Sequence, residues 1–156
     1  MTALFSIAQV GWESSKARLL EVRREVFVIE QGVPEEIESD EDDPLSIHFL
    51  ALDQDGTPIG TARLLPEGRI GRMAVLAPWR RSGVGRALLS ATMETARQRG
   101  DGRLFLHAQV HSIPFYESLG FSVFCGDEFD EAGIPHREME HFLCGNIGES
   151  GEKAVP

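Results

Sequence analysis

The chain has 156 residues, of which 42% are apolar and 26% are charged, and its formal net charge at pH 7 is −10. This length and composition are typical of one globular domain and exclude a disordered or fibrous chain. The acidic balance argues against nucleic acid as a partner, because backbone phosphates would be repelled, and it favours a cationic substrate.

Membrane and redox signals are absent from the sequence. No stretch approaches the roughly 18 apolar residues that span a bilayer, and residues 1–4 lack the basic start of a secretory signal. We therefore expect a cytoplasmic protein with no membrane partner. Cys125 and Cys144 are the two cysteines, and their spacing fits neither a disulfide framework nor a redox or zinc pair, so both are interpreted as buried free thiols.

The N-terminal third predicts a strand and a helix. Residues 4–10 form the strand, and Ser14 or Ser15 is expected to cap the helix. The helix should end near Gly32. One face of the predicted helix is apolar and carries Leu19, Val22, Val26 and Ile29. The opposite face is charged and carries Arg23, Arg24 and Glu25.

Charge is unevenly distributed along the chain. Seven acids lie between Pro34 and Pro44, in a segment interpreted as a loop or a frayed helix. The acidic 35–43 loop is either a solvated face or a segment that steers a cationic acceptor, and both readings stay open. Six arginines are expected to gather around a glycine loop further on, namely Arg63, Arg69, Arg72, Arg80, Arg81 and Arg86.

The middle and end of the chain predict short strands and two helices. Residues 47–52 and 58–64 flank an Asp-Gly turn and form a hairpin, and residues 69–76 add a third strand. A helix from Val84 should stop at Gly100. The remaining predicted elements are a strand at 104–108, a short helix at 113–119 and closing strands at 121–124 and 137–143.

This order predicts an α/β fold, of the α+β type, with a mixed but mostly antiparallel twisted sheet of six to seven strands and helices on both faces. No linker divides the chain, so residues 1–144 are expected to form a single domain. Residues 145–156 carry glycine, serine and charge with almost no apolar residue, and we interpret them as a flexible tail.

The stretch Arg80-Arg81-Ser82-Gly83-Val84-Gly85-Arg86 follows an apolar strand and opens an alanine- and leucine-rich helix. Glycines allow close approach of a ligand to the backbone, and the first amides of a helix point outward at the positive end of its dipole. The pattern predicts an anion cradle for phosphate, against the alternative of an ordinary tight turn. The lysine and hydroxyl residue of a nucleotide-hydrolase loop are absent, and the element order is not that of a dinucleotide fold.

Two motifs in this chain resemble the GNAT superfamily of N-acetyltransferases. The acetyl-CoA loop of that family reads Arg/Gln-x-x-Gly-x-Gly/Ala, which Arg80, Gly83 and Gly85 match. A later helix often reads Phe-Tyr-x-x-x-Gly-Phe, which residues 115–121 match about 30 residues downstream. The resemblance covers residues 3–143 and implies the GNAT fold, with acetyl-CoA as co-substrate and no metal.

The resemblance assigns cofactor contacts residue by residue. Met73, Ala74 and Val75 match the strand that meets the pantetheine arm, and Gln109 and Tyr116 are the later cofactor residues. The pyrophosphate cradle corresponds to Arg80, Arg81, Ser82, Gly83, Val84, Gly85 and Arg86. Many relatives carry glycine where this chain has Arg81, a departure that leaves the motif intact and changes which side chains flank the phosphates.

Tyr116 resembles the family's general acid, which protonates the departing thiolate. A phenol remains protonated at neutral pH, whereas an alkyl thiol is the more acidic group that it assists. The alternative is that Tyr116 only packs the short helix.

The base and the acceptor side are less defined. Many relatives carry a glutamate on the strand before the loop, where this chain has Ile70, Gly71, Arg72 and Met73. Deprotonation could pass through water to Glu30, His111 or Glu138, or the amine could arrive partly neutral. The resemblance implies that Glu30, Gln31 and His136 lie on the acceptor side. The alternative is that the first two cap the end of the helix and that His136 is a turn residue.

The resemblance implies transfer of acetyl from acetyl-CoA to an amine by direct attack in a ternary complex. The acceptor is a small-molecule amine or a peptide amine. Two alternatives stay open: a coenzyme-A-binding or protein-interaction module without turnover, and an enzyme similar to the acyl-homoserine-lactone synthases. The oligomeric state is open as well, and exposed late strands are compatible with a homodimer.

Overall fold

A computed structural model describes residues 4–35, 39–124 and 126–143 of the chain. Both cysteines, residues 36–38 of the acidic loop and the expected tail at 145–156 lie outside the described residues. The strands are β1 (Phe5–Val10), β2 (Ile47–Asp53), β3 (Pro58–Leu64), β4 (Arg69–Val75), β5 (Arg103–Gln109), β6 (Ser122–Val123), β7 (Phe129–Glu131) and β8 (Ile134–Phe142). The helices are α1 (Trp12–Arg23), α2 (Val84–Arg99) and α3 (Ile113–Glu117), with a π-helical segment at Arg24–Glu30 and 3-10 turns at Asp43–Leu45, Ala77–Trp79 and Val110–Ser112. No helix in these ranges is long and apolar enough to cross a bilayer.

The chain divides into two compact units, residues 1–66 with 70–92 and residues 67–69 with 93–156. In the N-terminal unit the strand order is β1-β2-β3-β4, and each strand pairs antiparallel with the next. In the C-terminal unit β8 pairs antiparallel with β5, β6 and β7. The predicted α/β class with a mostly antiparallel sheet is therefore confirmed, and a single domain stays a prediction.

The predicted hairpin between β2 and β3 is present. The carboxylate of Asp53 accepts hydrogen bonds from the amides of Asp55 at 2.8 Å and Thr57 at 2.9 Å. Gly56 has a φ of 83°, which a glycine adopts without a steric penalty. Gly56 of the Asp55-Gly56 pair takes the positive φ that the turn requires, and the side chain that holds the turn is that of Asp53, two residues before Asp55.

Helix α2 packs closely on β3 because Gly60 has no side chain. A Cβ at this position would lie 2.9 Å from Cδ1 of Leu88 and 3.2 Å from Cγ1 of Val84. Both of these helical side chains are fully buried. The glycine thus allows the start of α2, which carries the glycine loop, to sit directly against the sheet of the N-terminal unit.

The predicted cap of α1 is wrong. The helix begins at Trp12 after Gly11, which is extended at φ −89° and ψ 155°, and no side chain caps it. Ser15 lies inside the helix and its amide donates to the carbonyl of Gly11 at 3.2 Å. The helix therefore starts before either serine, and both serines fall within its first turn.

The predicted faces of this helix are correct at its centre and wrong at two positions. Leu19, Val22 and Val26 are buried as expected, but Ile29 is 58% exposed and Arg23 is fully buried. The chain widens into the π-helical segment after Arg23, so residues beyond it rotate away from the periodicity of an α-helix. Arg23 is buried because a distant carboxylate, described below, pairs with it.

Strand β7 was missed, and β8 begins three residues earlier than expected. Glu131 pairs with Ile134 across Ala132 and Gly133, which have φ values of 55° and 82°. Two consecutive residues with positive φ form the turn of a tight hairpin. Ala-Gly is a weaker signal for this turn than Asp-Gly or Asn-Gly, because alanine is disfavoured at positive φ.

We expect Gly68→Ala to destabilise the protein far more than Gly56→Ala. Both glycines have positive φ, so each substitution incurs a left-handed backbone penalty of about 1–2 kcal/mol. A Cβ at Gly68 would also lie 2.4 Å from the carbonyl oxygen of Arg103, whereas one at Gly56 meets nothing within 4 Å. Urea unfolding should show an additional loss of about 1–3 kcal/mol for Gly68→Ala. Equal losses for the two variants would contradict the close approach.

Candidate active site

The glycine loop, in the N-terminal unit, contains two residues with left-handed backbone conformation. Arg81 and Gly83 have φ values of 66° and 95°, so a left-handed residue lies on each side of Ser82. A Cβ at Gly83 would meet nothing within 4 Å, which leaves open space before the loop. The positive φ of Arg81 also gives a reason for a glycine at this place in many relatives, since only glycine adopts it without strain.

The start of α2 leaves its first backbone amides outside the hydrogen-bond ladder of the helix. The first helical hydrogen bond runs from the amide of Ala87 to the carbonyl of Gly83 at 3.0 Å. The amides of residues 84–86 therefore precede the hydrogen-bond ladder of the helix and lie at its positive end. Val84 is buried, while Arg80 to Gly83 and Arg86 are exposed. This geometry suits a phosphate group.

Arg80 is held by Glu30, an acceptor-side and base candidate. Its Nη1 and Nη2 donate to the two carboxylate oxygens at 2.6 and 2.7 Å, and its Nε donates to the carbonyl of Val75 at 2.9 Å. The hydrogen bond with Arg80 lowers the pKa of the Glu30 carboxyl, with burial opposing and the charge of Arg80 adding to it. A carboxylate that is fully engaged and less basic than usual is a poor proton acceptor.

Two of the arginines expected at the glycine loop lie elsewhere. Arg63 Nη1 donates to Asp40 at 2.7 Å and to Asp43 at 3.0 Å, and Arg72 Nη2 donates to Asp40 at 3.0 Å. Asp40 and Asp43 of the acidic loop pair with these two arginines, so this part of the loop forms one ionic network with them. The expected gathering of Arg63 and Arg72 around the glycine loop is wrong.

Strand β4 carries a bulge immediately before the expected cofactor residues. Arg72 has a φ of 50°, and the register of β3 against β4 shifts between Thr61 and Arg63. Thr61 Oγ1 donates to the carbonyl of Arg72 at 3.0 Å and holds the bulge in place. The strand then continues with Met73, Ala74 and Val75, of which Ala74 packs on the buried side chains of α1 and the π-helical segment. The bulge bends the backbone just where the resemblance assigns the pantetheine arm.

Tyr116 lies in the C-terminal unit on α3 and is buried. Its ring packs edge to face on Phe115 at 5.1 Å and on Phe121 at 6.1 Å. Burial raises the pKa of the Tyr116 hydroxyl to about 12. The phenol therefore stays protonated throughout the neutral and mildly alkaline range, and it is available as a donor.

His136 and Glu138 lie on β8, opposite the end of β5. The register pairs Gln109 with His136 and His107 with Glu138. His136 is buried, with Nδ1 2.7 Å from the carbonyl oxygen of Ile134 and its ring stacked on Phe129 at 5.9 Å. The structure thus brings a cofactor candidate, an acceptor-side candidate and a base candidate together on one pair of strands.

The remaining candidates lie on other elements. Gln31 follows the π-helical segment in the N-terminal unit, where its amide donates to the carbonyl of Val26 at 3.1 Å. His111 is exposed in the 3-10 turn between β5 and α3. Among the described residues no three His, Cys, Asp or Glu side chains are arranged to hold a metal ion.

Sequence reasoning singled out neither Glu131 nor His107 as a site residue. His107 Nδ1 lies 2.9 Å from Glu131 Oε1 and Nε2 lies 3.5 Å from Glu138 Oε2. The signal that could have found Glu131 is the Ala-Gly turn, which folds β7 back onto β8. The hydrogen bond with His107 lowers the pKa of the Glu131 carboxyl, against the effect of burial and with help from the charges of His107, His136 and Arg69.

Comparison with known proteins gives one consistent result. A family model described as an acetyltransferase (GNAT) domain matches residues 10–143. The uncharacterized N-acetyltransferase YjcF of Bacillus subtilis is 39% identical over 121 residues, which cover 76% of this chain and 86% of that protein. The crystal structure of Escherichia coli ElaA superposes with a TM-score of 0.77 at 31% identity, covering 88% of this chain and 99% of ElaA. An acyl-CoA N-acyltransferase from Pseudomonas aeruginosa superposes with a TM-score of 0.77 at 29% identity, covering 88% and 99% of the two chains.

Proposed function

Because the chain belongs to the GNAT acetyltransferase family, we propose that it transfers the acetyl group of acetyl-CoA to an amine acceptor. The transfer proceeds by direct attack of the amine in a ternary complex, without an acyl-enzyme. The acceptor is a small-molecule amine or a peptide amine, and neither nucleic acid nor a membrane is a partner. The protein acts in the cytoplasm, and a homodimer is compatible with this function.

The conformation of the glycine loop carries this proposal. Arg81 and Gly83 are left-handed residues directly before α2, and the open space before Gly83 admits a ligand to the backbone. The amides from Arg81 through Arg86 would hold the coenzyme pyrophosphate, because helix N-termini bind anions through their free N–H groups and dipole. The exposed guanidinium groups of the loop add charge-assisted hydrogen bonds.

Residues outside the loop would place and assist the thioester. Met73, Ala74, Val75 and Gln109 would position the pantetheine arm through strand-like contacts. Tyr116 would donate its proton to the departing thiolate, because its pKa of about 12 keeps the phenol protonated at the pH of the reaction. Positioning of the two reactants supplies much of the rate in such a mechanism.

The acceptor side draws on Glu30, Gln31 and His136, with Glu30, His111 and Glu138 as base candidates. Of these, Glu138 is supported best, since it lies across from His107 on a strand pair that also holds Gln109 and His136. Glu30 is occupied by Arg80. Binding of the coenzyme phosphates at Arg80 would release Glu30 toward the acceptor.

Two other functions use the same fold differently. A coenzyme-A-binding or protein-interaction module would keep the loop and lose turnover, and the lack of a glutamate among residues 70–73 favours it. An enzyme similar to the acyl-homoserine-lactone synthases would share the Arg, Val-Phe and Glu pattern of the first helix, without support from the later chain. The buried, protonated Tyr116 favours an acetyltransferase over both.

Release of the coenzyme thiol from acetyl-CoA, measured with a panel of small amines and peptide amines, tests the proposal. We expect release above the hydrolysis background with at least one amine class, together with an acetylated product of matching mass. Tight binding of acetyl-CoA in calorimetry with no release for any amine would favour the binding module. No binding of acetyl-CoA would overturn both readings.

A further inference from the structure

Arg80 is the first residue of the glycine loop, and its side chain makes three hydrogen bonds within the N-terminal unit. Its Nε donates to the carbonyl of Val75, at the end of β4, at 2.9 Å. Its Nη1 and Nη2 donate to the two carboxylate oxygens of Glu30 at 2.6 and 2.7 Å. The guanidinium at the expected phosphate site therefore already holds an anion, and that anion belongs to the chain itself.

Glu30 ends the π-helical segment, and main-chain hydrogen bonds close the segment around it. The amide of Gln31 donates to the carbonyl of Val26 at 3.1 Å, and the amide of Gly32 donates to that of Val28 at 3.1 Å. The carboxylate is thus presented from ordered backbone. The ion pair joins an acceptor-side candidate, Glu30, to the loop that would bind the donor.

A carboxylate and a phosphate are alternative partners for the same arginine side chain. The planar guanidinium binds either oxyanion through two parallel N–H donors. The side chains of Arg80 and Glu30 are each 39% exposed, and an exposed ion pair contributes little to stability. Replacement of Glu30 by a coenzyme phosphate would therefore leave no buried charge without a partner.

The pair carries two full charges at neutral pH. The hydrogen bond between the two side chains raises the pKa of the Arg80 guanidinium and lowers that of the Glu30 carboxyl. Glu30 consequently opposes an incoming phosphate in two ways. It occupies the Nη groups of Arg80, and its negative charge repels the phosphate.

We infer that Glu30 and the coenzyme phosphates compete for Arg80, so that Glu30 limits the affinity for acetyl-CoA and becomes available to a cationic acceptor when the coenzyme binds. This inference rests on the proposed acetyltransferase function and adds a coupling between its two substrates. The bond from Nε to Val75 does not involve Glu30, and it holds the guanidinium during the exchange. By linkage, a cation that draws Glu30 away from Arg80 strengthens coenzyme binding by the same factor. The acceptor class is therefore a positively charged amine.

Calorimetric titration of wild type and Glu30→Gln with coenzyme A at pH 7 tests the competition. We expect the Kd to fall about three- to tenfold in Glu30→Gln, because the amide carries no charge to compete for Arg80. The difference should shrink in about 0.5 M salt, which screens exposed charges. Glu25→Gln is the matched control, since Glu25 is exposed on the same π-helical segment, and its Kd should stay within about twofold of wild type.

The same comparison in an Arg80→Gln background separates competition from simple repulsion. Without the guanidinium Glu30 has nothing to occupy, so Glu30→Gln should improve the Kd less than it does when Arg80 is present. An equal improvement in both backgrounds would overturn the competition. Weaker binding of coenzyme A by Glu30→Gln than by wild type would also overturn it, because Glu30 would then orient Arg80 for the phosphate.

The KM for the acceptor tests the coupling. With the amine that gives the highest thiol release in the panel above, Glu30→Gln should raise the KM about threefold or more while the Kd for coenzyme A falls. A structural defect would weaken both substrates instead of changing them in opposite directions. An unchanged KM would overturn the role of Glu30 toward the acceptor.

These outcomes leave the proposed function standing, because they concern Glu30 alone. Wild-type protein that does not bind coenzyme A would overturn the proposed function itself.

Discussion

Asp43→Ala is expected to lower the free energy of unfolding by about 3–5 kcal/mol, because it leaves buried guanidinium groups without their carboxylate. Arg23 donates to both oxygens of Asp43, at 3.0 and 3.1 Å, and Arg63 donates at 3.0 Å. The side chains of Arg23 and Asp43 are completely buried and that of Arg63 is 4% exposed. Urea unfolding at pH 7 measures the loss, and stability equal to wild type would contradict this account of the network.

Asp42→Asn is the matched control for this variant. It removes the same unit of charge from the same loop, but it keeps the two hydrogen bonds that the main chain of Asp42 makes. Its amide donates to Asp40 at 3.0 Å and its carbonyl accepts from Ser46 at 2.8 Å. We therefore expect the control to stay within about 0.5 kcal/mol of wild type.

Protonation of Asp43 should cost less than its truncation. Burial raises the pKa of this carboxyl, but the hydrogen bonds and charge of Arg23, with the Asp40 amide and Arg63, outweigh burial and lower the pKa to about 2. The folded pKa lies below the ordinary value of 3.8, so the stabilisation is complete above about pH 4 and is lost as the pH falls toward 2. The linked free energy is about 2 kcal/mol, smaller than the truncation effect because a protonated carboxyl still accepts hydrogen bonds.

The burial of Arg23 could not be predicted from the sequence. A helical repeat assigns faces from local spacing, and it places Arg23 with Arg24 and Glu25 on the solvent side. Its partner Asp43 is 20 residues away, in a loop that reads as a run of like charges. An ion pair between residues far apart in the sequence leaves no pattern in the residues around either partner. The sequence therefore predicted neither the burial of Arg23 nor the ion pairs that arginines make with Asp40 and Asp43.

The strands on either side of the Asp-Gly turn were predicted correctly because their signals are local. The Asp-Gly turn fixes the β2–β3 register through the Asp53 side chain, and the loop glycine at position 83 has the positive φ that its place before a helix requires. The grouping of Gln109, His136 and Glu138 depends on the register of β8 against β5 and β7. The Ala-Gly turn that sets part of this register is a weak signal, and for this reason the contact of His107 with Glu131 became visible only in the structure.

Tyr116→Phe is expected to lower kcat about 10²- to 10⁴-fold, if removal of its proton leaves the thiolate to depart unassisted. The substitution keeps the ring between Phe115 and Phe121, so the variant should fold, and its affinity for acetyl-CoA should equal that measured for wild type. Because burial raises the pKa of Tyr116 to about 12, the defect should be constant between pH 6 and 10. Steady-state rates of thiol release across this range measure it.

Phe115→Leu is the matched control, since it alters the packing of the Tyr116 ring and leaves the hydroxyl in place. We expect its kcat to stay within about threefold of wild type, which would assign the Tyr116→Phe defect to the lost proton rather than to packing.

An acetyl donor with a more acidic thiol gives the sharper result. A less basic thiolate departs without a proton, so the difference between wild type and Tyr116→Phe should shrink as the thiol pKa falls. A defect of the same size with every donor would assign Tyr116 to packing of α3 and leave the general acid to another group.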